Sequence, residues 1–323
     1  MRLLIKCGLG LSLCIAGLAW AQIPAPGYPQ KTVRFVNNFP PGGPSDILAR
    51  SVAEALQGSL KQSFIVENKV GAGGNVGADA VAKSAADGYT VLFGIDTAFT
   101  VNPHIYKALP FKPQDLKPVL VMGSSGLLVG AHPATGIKSL RDLVTTGKAK
   151  TLNFSSGGNG SPGHLAVEVF MDAAGVKIQH VPYKGNTPAV TAVVAGEVDA
   201  YIGVLSGSIP MIDAGKLKVL AYVNARPSFK PDPKVPLVAE VVPKFENPLY
   251  WVGYFGPARL PDPVLRRLNS EYVRALRSEE FRPKFEAQNN PVVANTPEEF
   301  SAMLYADLDR VARIVKGAGI NPE

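Results

Sequence analysis

From residue 32 to 95 the chain alternates short apolar runs with stretches in which apolar residues recur every three or four positions. Residues 32–39 (TVRFVNNF) predict a strand. The turn that follows, Pro40-Pro41-Gly42-Gly43-Pro44-Ser45-Asp46, opens onto Ile47, Leu48, Val52, Ala55 and Leu56 at helical spacing. A strand at 64–67, a glycine-rich turn at 71–77, a helix over 78–85 and a strand at 89–95 complete a βαβαβ order. The pattern returns at residue 151. A strand at 151–155 meets the turn 156–163 (SGGNGSPG), and Leu165, Val169, Phe170 and Ala173 mark a helix. A strand at 178–182, the turn at 183–188, a helix at 189–195 and a strand at 200–205 close the second copy.

Strands that alternate with helices predict parallel sheets covered on both faces, and two copies predict two such lobes. Further strands are expected at 118–122, 127–131, 217–223 and 250–255, the last returning the chain to the first lobe. Helices are expected at 262–278, led by Pro261-Asp262-Pro263, and at 297–316, led by Thr296-Pro297-Glu298-Glu299 and stopped at Lys316-Gly317. Residues 226–247 are rich in proline and charge and read as a linker. The lobes are placed at residues 24–124 plus 246–323 and at 125–245.

Composition narrows the classes. Of 323 residues, 46% are hydrophobic and 18% charged, enough apolar content for a core and unlike a disordered or coiled-coil chain. The formal charge of +7 is modest and the basic residues form no block, so nucleic acid is not expected as a partner. Residues 1–21 have a basic start, an apolar middle and Ala19-Trp20-Ala21, the pattern of a cleaved export signal rather than a membrane span. Cleavage near Ala21 places the protein in the periplasm. It removes Arg2 and Lys6, which lowers the charge to about +5, and it removes Cys7 and Cys14, the only cysteines. No disulfide, thiol chemistry or cysteine-bound metal is expected in what remains.

The four glycine-rich turns carry the candidate chemistry. In an open parallel sheet, ligands sit at the C-terminal strand edge beside helix N-termini. There, unpaired amides and a partial positive charge favour carboxylates. Two lobes facing through such turns would form a cleft lined with donors. Plainer roles stand beside this one. Asp46 and Ser161 suit helix caps, Asn75 and Asn159 suit turns, and Tyr183 and Lys184 suit packing or solvent. Enzyme motifs fit poorly. The turn at 71–77 has Val76 where a dinucleotide-binding loop needs glycine, and there is no phosphate loop of the Walker type. Gly160-Ser161-Pro162-Gly163-His164 has Asn159 where a nucleophile elbow needs glycine. The four histidines, at 104, 132, 164 and 180, are dispersed without metal-ligand spacing, so no metal or cofactor is expected. An exported α/β hydrolase using Ser161 and a receptor that feeds a signalling partner are the alternatives.

Several segments together resemble one family. They are Pro40-Pro41-Gly42-Gly43 with Asp46 and Arg50, Val66-Glu67-Asn68-Lys69 before Gly71-Ala72-Gly73-Gly74, Asp87-Gly88-Tyr89-Thr90, Asn102-Pro103-His104-Ile105-Tyr106, the turn from Gly158 to His164, and Val181-Pro182-Tyr183-Lys184-Gly185. From Tyr28 to Ile320 the chain resembles the Bug family, the extracytoplasmic solute receptors of tripartite tricarboxylate transporters. The resemblance implies an α/β, two-lobed type II periplasmic binding-protein fold, each lobe a mainly parallel sheet flanked by helices. It further implies a small carboxylate-bearing ligand (an organic acid or amino acid), a membrane permease as partner, a monomer, and no catalysis.

The expected ligand-binding residues follow the turns. They are Phe39, Gly42, Gly43, Ser45 and Asp46; Gly73, Gly74 and Asn75; Asp96 and Thr97; Ser156, Asn159, Gly160, Ser161 and His164; and Tyr183, Lys184 and Gly185. Two departures from the family stand out: Asp96 where many relatives carry serine, and Gly203 where many carry aspartate. Asp96 either caps a loop or pairs with an ammonium or hydroxyl of the ligand. Left ionised, it would repel a simple dicarboxylate.

Overall fold

A computed structural model describes residues 27–123, 126–223, 231–247, 250–287 and 290–317. The export signal and its cleavage site lie outside them. The first unit runs β1 (Val33–Asn37), α1 (Pro44–Leu60), β2 (Phe64–Asn68), α2 (Asn75–Ala82) and β3 (Thr90–Ile95). Two short helices, α3 (Thr97–Thr100) and α4 (Asn102–Ile105), precede β4 (Leu116–Gly123). The chain then enters the second lobe with β5 (Leu127–Ala131) and α5 (Leu140–Ala149). It continues through β6 (Leu152–Ser156), α6 (Pro162–Ala174), β7 (Ile178–Pro182), α7 (Asn186–Ala195) and β8 (Ala200–Val204). α8 (Ile209–Asp213), β9 (Lys218–Val223) and α9 (Val238–Val241) follow. β10 (Val252–Pro257), α10 (Asp262–Leu276), α11 (Arg282–Ala287) and α12 (Pro297–Gly317) bring it back to the first lobe.

Each lobe has a five-stranded sheet, ordered β2-β1-β3-β10-β4 and β7-β6-β8-β5-β9. The pairings β1–β2, β1–β3, β6–β7 and β6–β8 are parallel, whereas β10 runs antiparallel to both its neighbours, as does β5. The sheets are therefore mixed. In each, the antiparallel strand is the one that follows a crossing from the other lobe. Such a strand arrives from the opposite end of the sheet, which the repeated βαβ pattern alone does not reveal.

The strands read as apolar runs because both faces are covered. Val33, Phe35 and Val36 of β1 are all buried, with Phe35 against Phe64, Tyr254 and Tyr272 on one side of the sheet. On the other side Phe99, Trp251, Phe255 and Phe300 form an aromatic cluster in which the Phe99 and Phe255 rings stack at 4.2 Å. α12 begins where expected. The Thr296 hydroxyl accepts the Glu299 N–H at 3.2 Å and the Glu299 carboxylate accepts the Thr296 N–H at 2.9 Å, a reciprocal cap.

Three expectations shift. The helix expected at 78–85 starts at Asn75, because its first turn grows directly out of the glycine turn. α5 was not anticipated; Ser139 caps it by accepting the Asp142 N–H at 3.1 Å. The stretch read as a linker at 226–247 holds α9, and Leu237 bridges to Tyr222 of β9, so this part packs on the second sheet.

Candidate functional site

Glycine turns leave the C-terminal ends of β1, β2, β6 and β7. Turns from the two lobes touch. A Cβ placed on Gly160, whose φ is +74°, would lie 3.4 Å from Gly73 Cα and 2.5 Å from Asn102 Oδ1. One on Gly185, at φ +117°, would lie 3.2 Å from Pro40 Cγ. One on Gly207 would lie 2.5 Å from Pro44 Cγ. Only residues without side chains let the lobes approach this closely.

Enclosed by these contacts is a cavity of ≈ 310 Å³ between the lobes. The N-termini of three helices converge on it: Gly43, Pro44 and Ser45 of α1, Ser161, Pro162 and Gly163 of α6, and Gly185, Asn186 and Thr187 of α7. α1 and α7 start at Gly43 and Gly185 without a side-chain cap, so their first-turn amides are left for an acceptor from outside the helix. Lys184 adds a cation at the edge, while Phe39, Pro41, Ile95, Val204 and Tyr250 supply apolar walls. Donors around an apolar body suit a small anion with a hydrocarbon middle.

Of the expected residues, Phe39, Gly42, Gly43, Ser45, Ser161, Lys184 and Gly185 line this cavity. Asp46 sits just behind it. Its carboxylate accepts the Gly42 N–H at 2.9 Å, the Arg50 guanidinium at 3.0 Å and the Asn68 amide at 2.9 Å. Burial pulls its pKa up, but these partners together hold it below the usual carboxylate range. Asp46 therefore shapes the first turn. Gly73, Gly74 and Asn75 lie off the cavity at the seam, where the Asn102 amide donates to Gly73 O at 3.0 Å and Asn75 Oδ1 at 2.7 Å. Gly160 belongs to the same seam, and Asn159 is exposed beside it. Tyr183 also lies off the lining, its hydroxyl donating to Glu197 Oε2 at 3.2 Å.

Asp96 and Thr97 are buried beyond Ile95 and do not line the cavity. Burial pushes the Asp96 carboxyl well above the usual range. The nearby Asp307 adds to the rise, while the backbone N–H groups of Thr97 and Trp251 oppose it. Asp96 thus resists ionisation more than an ordinary aspartate, and it makes no side-chain cap on α3. Asp307 accepts the Trp251 Nε1–H at 2.7 Å and is itself raised by burial.

The histidines correct the expectation of dispersal. His164 and His180 stack at 4.5 Å, and with Glu168 they form a group whose ligand-type atoms lie within 4.8 Å of one another. α6 and β7 bring them together across sixteen residues of chain, a spacing without a motif. The ring lone pairs are already committed. Gly160 N–H donates to His164 Nδ1 at 3.2 Å. Ser156 Oγ accepts the Gly158 N–H at 3.2 Å and the Ser161 hydroxyl at 3.4 Å, so its own hydrogen points to His180 Nε2 at 2.6 Å. A metal here would have to break one of these bonds, so the cluster fits a brace for the turn better than a metal centre. Ser156 and His180 have the spacing of a nucleophile and base, but Ser156 is fully buried and off the cavity. Ser161 accepts the His164 N–H at 3.2 Å as the cap of α6.

Asn186, Gly203, Val204 and Tyr250 line the cavity and were not expected there. Asn186 follows immediately on the Tyr183-Lys184-Gly185 turn, and that adjacency was the one signal available. Gly203 was singled out only as a departure from the family.

Known proteins place the fold. The family model for TctC, the tripartite tricarboxylate transporter family receptor, matches residues 48–320. Protein BugT of Bordetella pertussis is 34% identical over 317 residues, 96% of each chain. An R. palustris protein solved with adipate superposes with a TM-score of 0.87 at 30% identity, covering 92% of this chain and 100% of that one. The periplasmic binding protein BugD gives 0.84 at 27% identity, with 92% and 100% covered. MatC from Rhodopseudomonas palustris, solved with malate, gives 0.83 at 27%, with 89% and 100% covered. The two-lobed α/β chain with its interlobe cavity belongs to the tripartite tricarboxylate transporter receptor family, alongside the Bug proteins.

Proposed function

We propose that this protein is a periplasmic solute receptor, exported by cleavage near Ala21. It captures a small carboxylate with an apolar body between its lobes and delivers it to the membrane permease of a tripartite tricarboxylate-type transporter. The lobes are residues 24–124 with 246–323 and residues 125–245; they close about the chain crossings that join them, and the receptor acts as a monomer and does no chemistry on its ligand. The observation that carries the reading is the convergence of three helix N-termini, one from the first lobe and two from the second, on a single apolar-walled cavity. The adipate and malate held by two structural relatives support the carboxylate class.

A thermal-shift screen of aliphatic and aromatic carboxylates tests it. A ligand at 100 times its Kd adds about 2.7 kcal/mol of stability, enough for a clear rise in Tm. Failure of every carboxylate at millimolar concentration to raise Tm would refute the reading. Mass spectrometry of the periplasmic fraction tests the export step, with Gln22 expected as the first residue.

A further inference from the structure

Resting on the reading of the cleft as a carboxylate site, we propose that Lys184 is a steering residue: it speeds the entry of an anion into the cleft and takes little part in holding it once the lobes have closed. Among the described residues that line the cavity, Lys184 is the only charged one. It stands where the lobes meet, since a Cβ on the next residue, Gly185, would lie 3.2 Å from Pro40 Cγ of the first lobe. The side chain is exposed, and among the described residues it has no ion-pair or hydrogen-bond partner. Glu197, which its neighbour Tyr183 reaches at 3.2 Å, makes no ion pair with it.

The position works against the fold. Lys184 comes just before Gly185, the N-cap of α7, and the first turn of that helix holds no acid. A cation at the positive end of a helix is repelled by the helix dipole. The mouth of the cleft therefore carries one sign of charge. Asp46, the acid in the first turn of α1, is already spent on Gly42, Arg50 and Asn68. A cleft with a field of one sign raises the rate at which opposite charges arrive. Entry and holding draw on different groups. An ammonium that stays in water adds little to a formed contact, because solvent screens it. Its pull on an approaching anion is felt further out, over about 30 Å at 0.01 M salt and only about 3 Å at 1 M. For unit charges 4 Å apart in water, that attraction is worth about fivefold in rate.

The test is stopped-flow binding of adipate, malate and benzoate to the full exported chain. Trp251, the only tryptophan beyond the export signal, follows the cavity-lining Tyr250 and serves as the reporter. In about 0.01 M salt Lys184→Gln should lower the association rate about fivefold and leave the dissociation rate within about twofold. In about 1 M salt the gap should close. Lys184→Arg should restore the rate. Lys177→Gln makes the same change in net charge at an exposed residue beyond the opposite end of β7, and should alter the rate by less than about twofold. The Kd from isothermal titration should rise about fivefold in Lys184→Gln and recover in about 1 M salt, so the salt comparison decides the matter even if the indole is silent. Lys184→Gln should melt no lower than the wild type, since the lysine supports nothing in the fold. An unchanged Kd in low salt, a gap that persists in high salt, or a loss carried by dissociation would overturn the inference and leave the receptor reading intact. No binding of any of the three acids by the wild type would overturn both.

Discussion

Gly160 of the second lobe lies directly against Asn102 of the first: a Cβ at 160 would be 2.5 Å from Asn102 Oδ1. Closure of the cleft therefore depends on a missing methyl group. Gly160→Ala should cost about 1–3 kcal/mol specifically in the closed state, which is about five- to 150-fold in ligand affinity. Positive φ (+74° at 160) also strains any alanine, so Gly196→Ala, with φ +78° and open space around it, is the control. Both variants should lose stability in a melt. Only Gly160→Ala should lose affinity in a titration, and equal losses in both would count against the seam.

His180 gives a pH dependence of stability. Burial, helped by His164, holds its pKa to about 4, below the ordinary 6.5. As pH falls, the unfolded chain takes up a proton before the folded one. The contribution is therefore complete above about pH 6.5 and is lost as pH drops toward 4. Calorimetry between pH 7 and 4.5 should show a falling Tm. His180→Gln, which can still accept from Ser156, should flatten that fall; an unchanged slope would refute the assignment.

Asp96 works in the opposite direction. Its folded pKa is raised, first by burial and then by Asp307, so the unfolded chain releases the proton first as pH climbs. Stability is lost from about pH 4 upward. Asn at this position keeps an oxygen for the Thr97 and Trp251 N–H groups and has no proton to lose. Asp96→Asn should melt higher than the wild type at pH 7 and match it near pH 4. A constant difference across that range would show that packing, not ionisation, is responsible.

The aromatic cluster of the first lobe sets the scale of its stability. Phe99 is fully buried and stacked on Phe255 at 4.2 Å. Phe99→Ala should cost about 3–5 kcal/mol in urea unfolding. A loss below about 1 kcal/mol would mean the cluster collapses to fill the gap.

The units of this fold were readable because period-2 and period-3.6 patterns alternate cleanly from Thr32 to Leu205, with glycine turns as punctuation. The direction of β5 and β10 was not readable, since an apolar run carries no sign for parallel or antiparallel pairing. At the site, residues that act through backbone geometry, such as Gly43, Gly185 and Ser45, were found from their turns. Asn186 was missed because the groups that fix its amide, Tyr201 and Val204, come fifteen and eighteen residues later. The His164–His180 stack escaped for the same reason: it exists only once β7 lies beside β6.

The placement of β10 between β3 and β4 bears on how the chain is assembled. Until residues 252–257 have been synthesised, β4 has no neighbour in its own sheet. The second sheet, by contrast, is built wholly from residues 127–223. The half that starts first must therefore finish last, and a chain halted before residue 252 would hold one completed sheet beside an open, aggregation-prone edge.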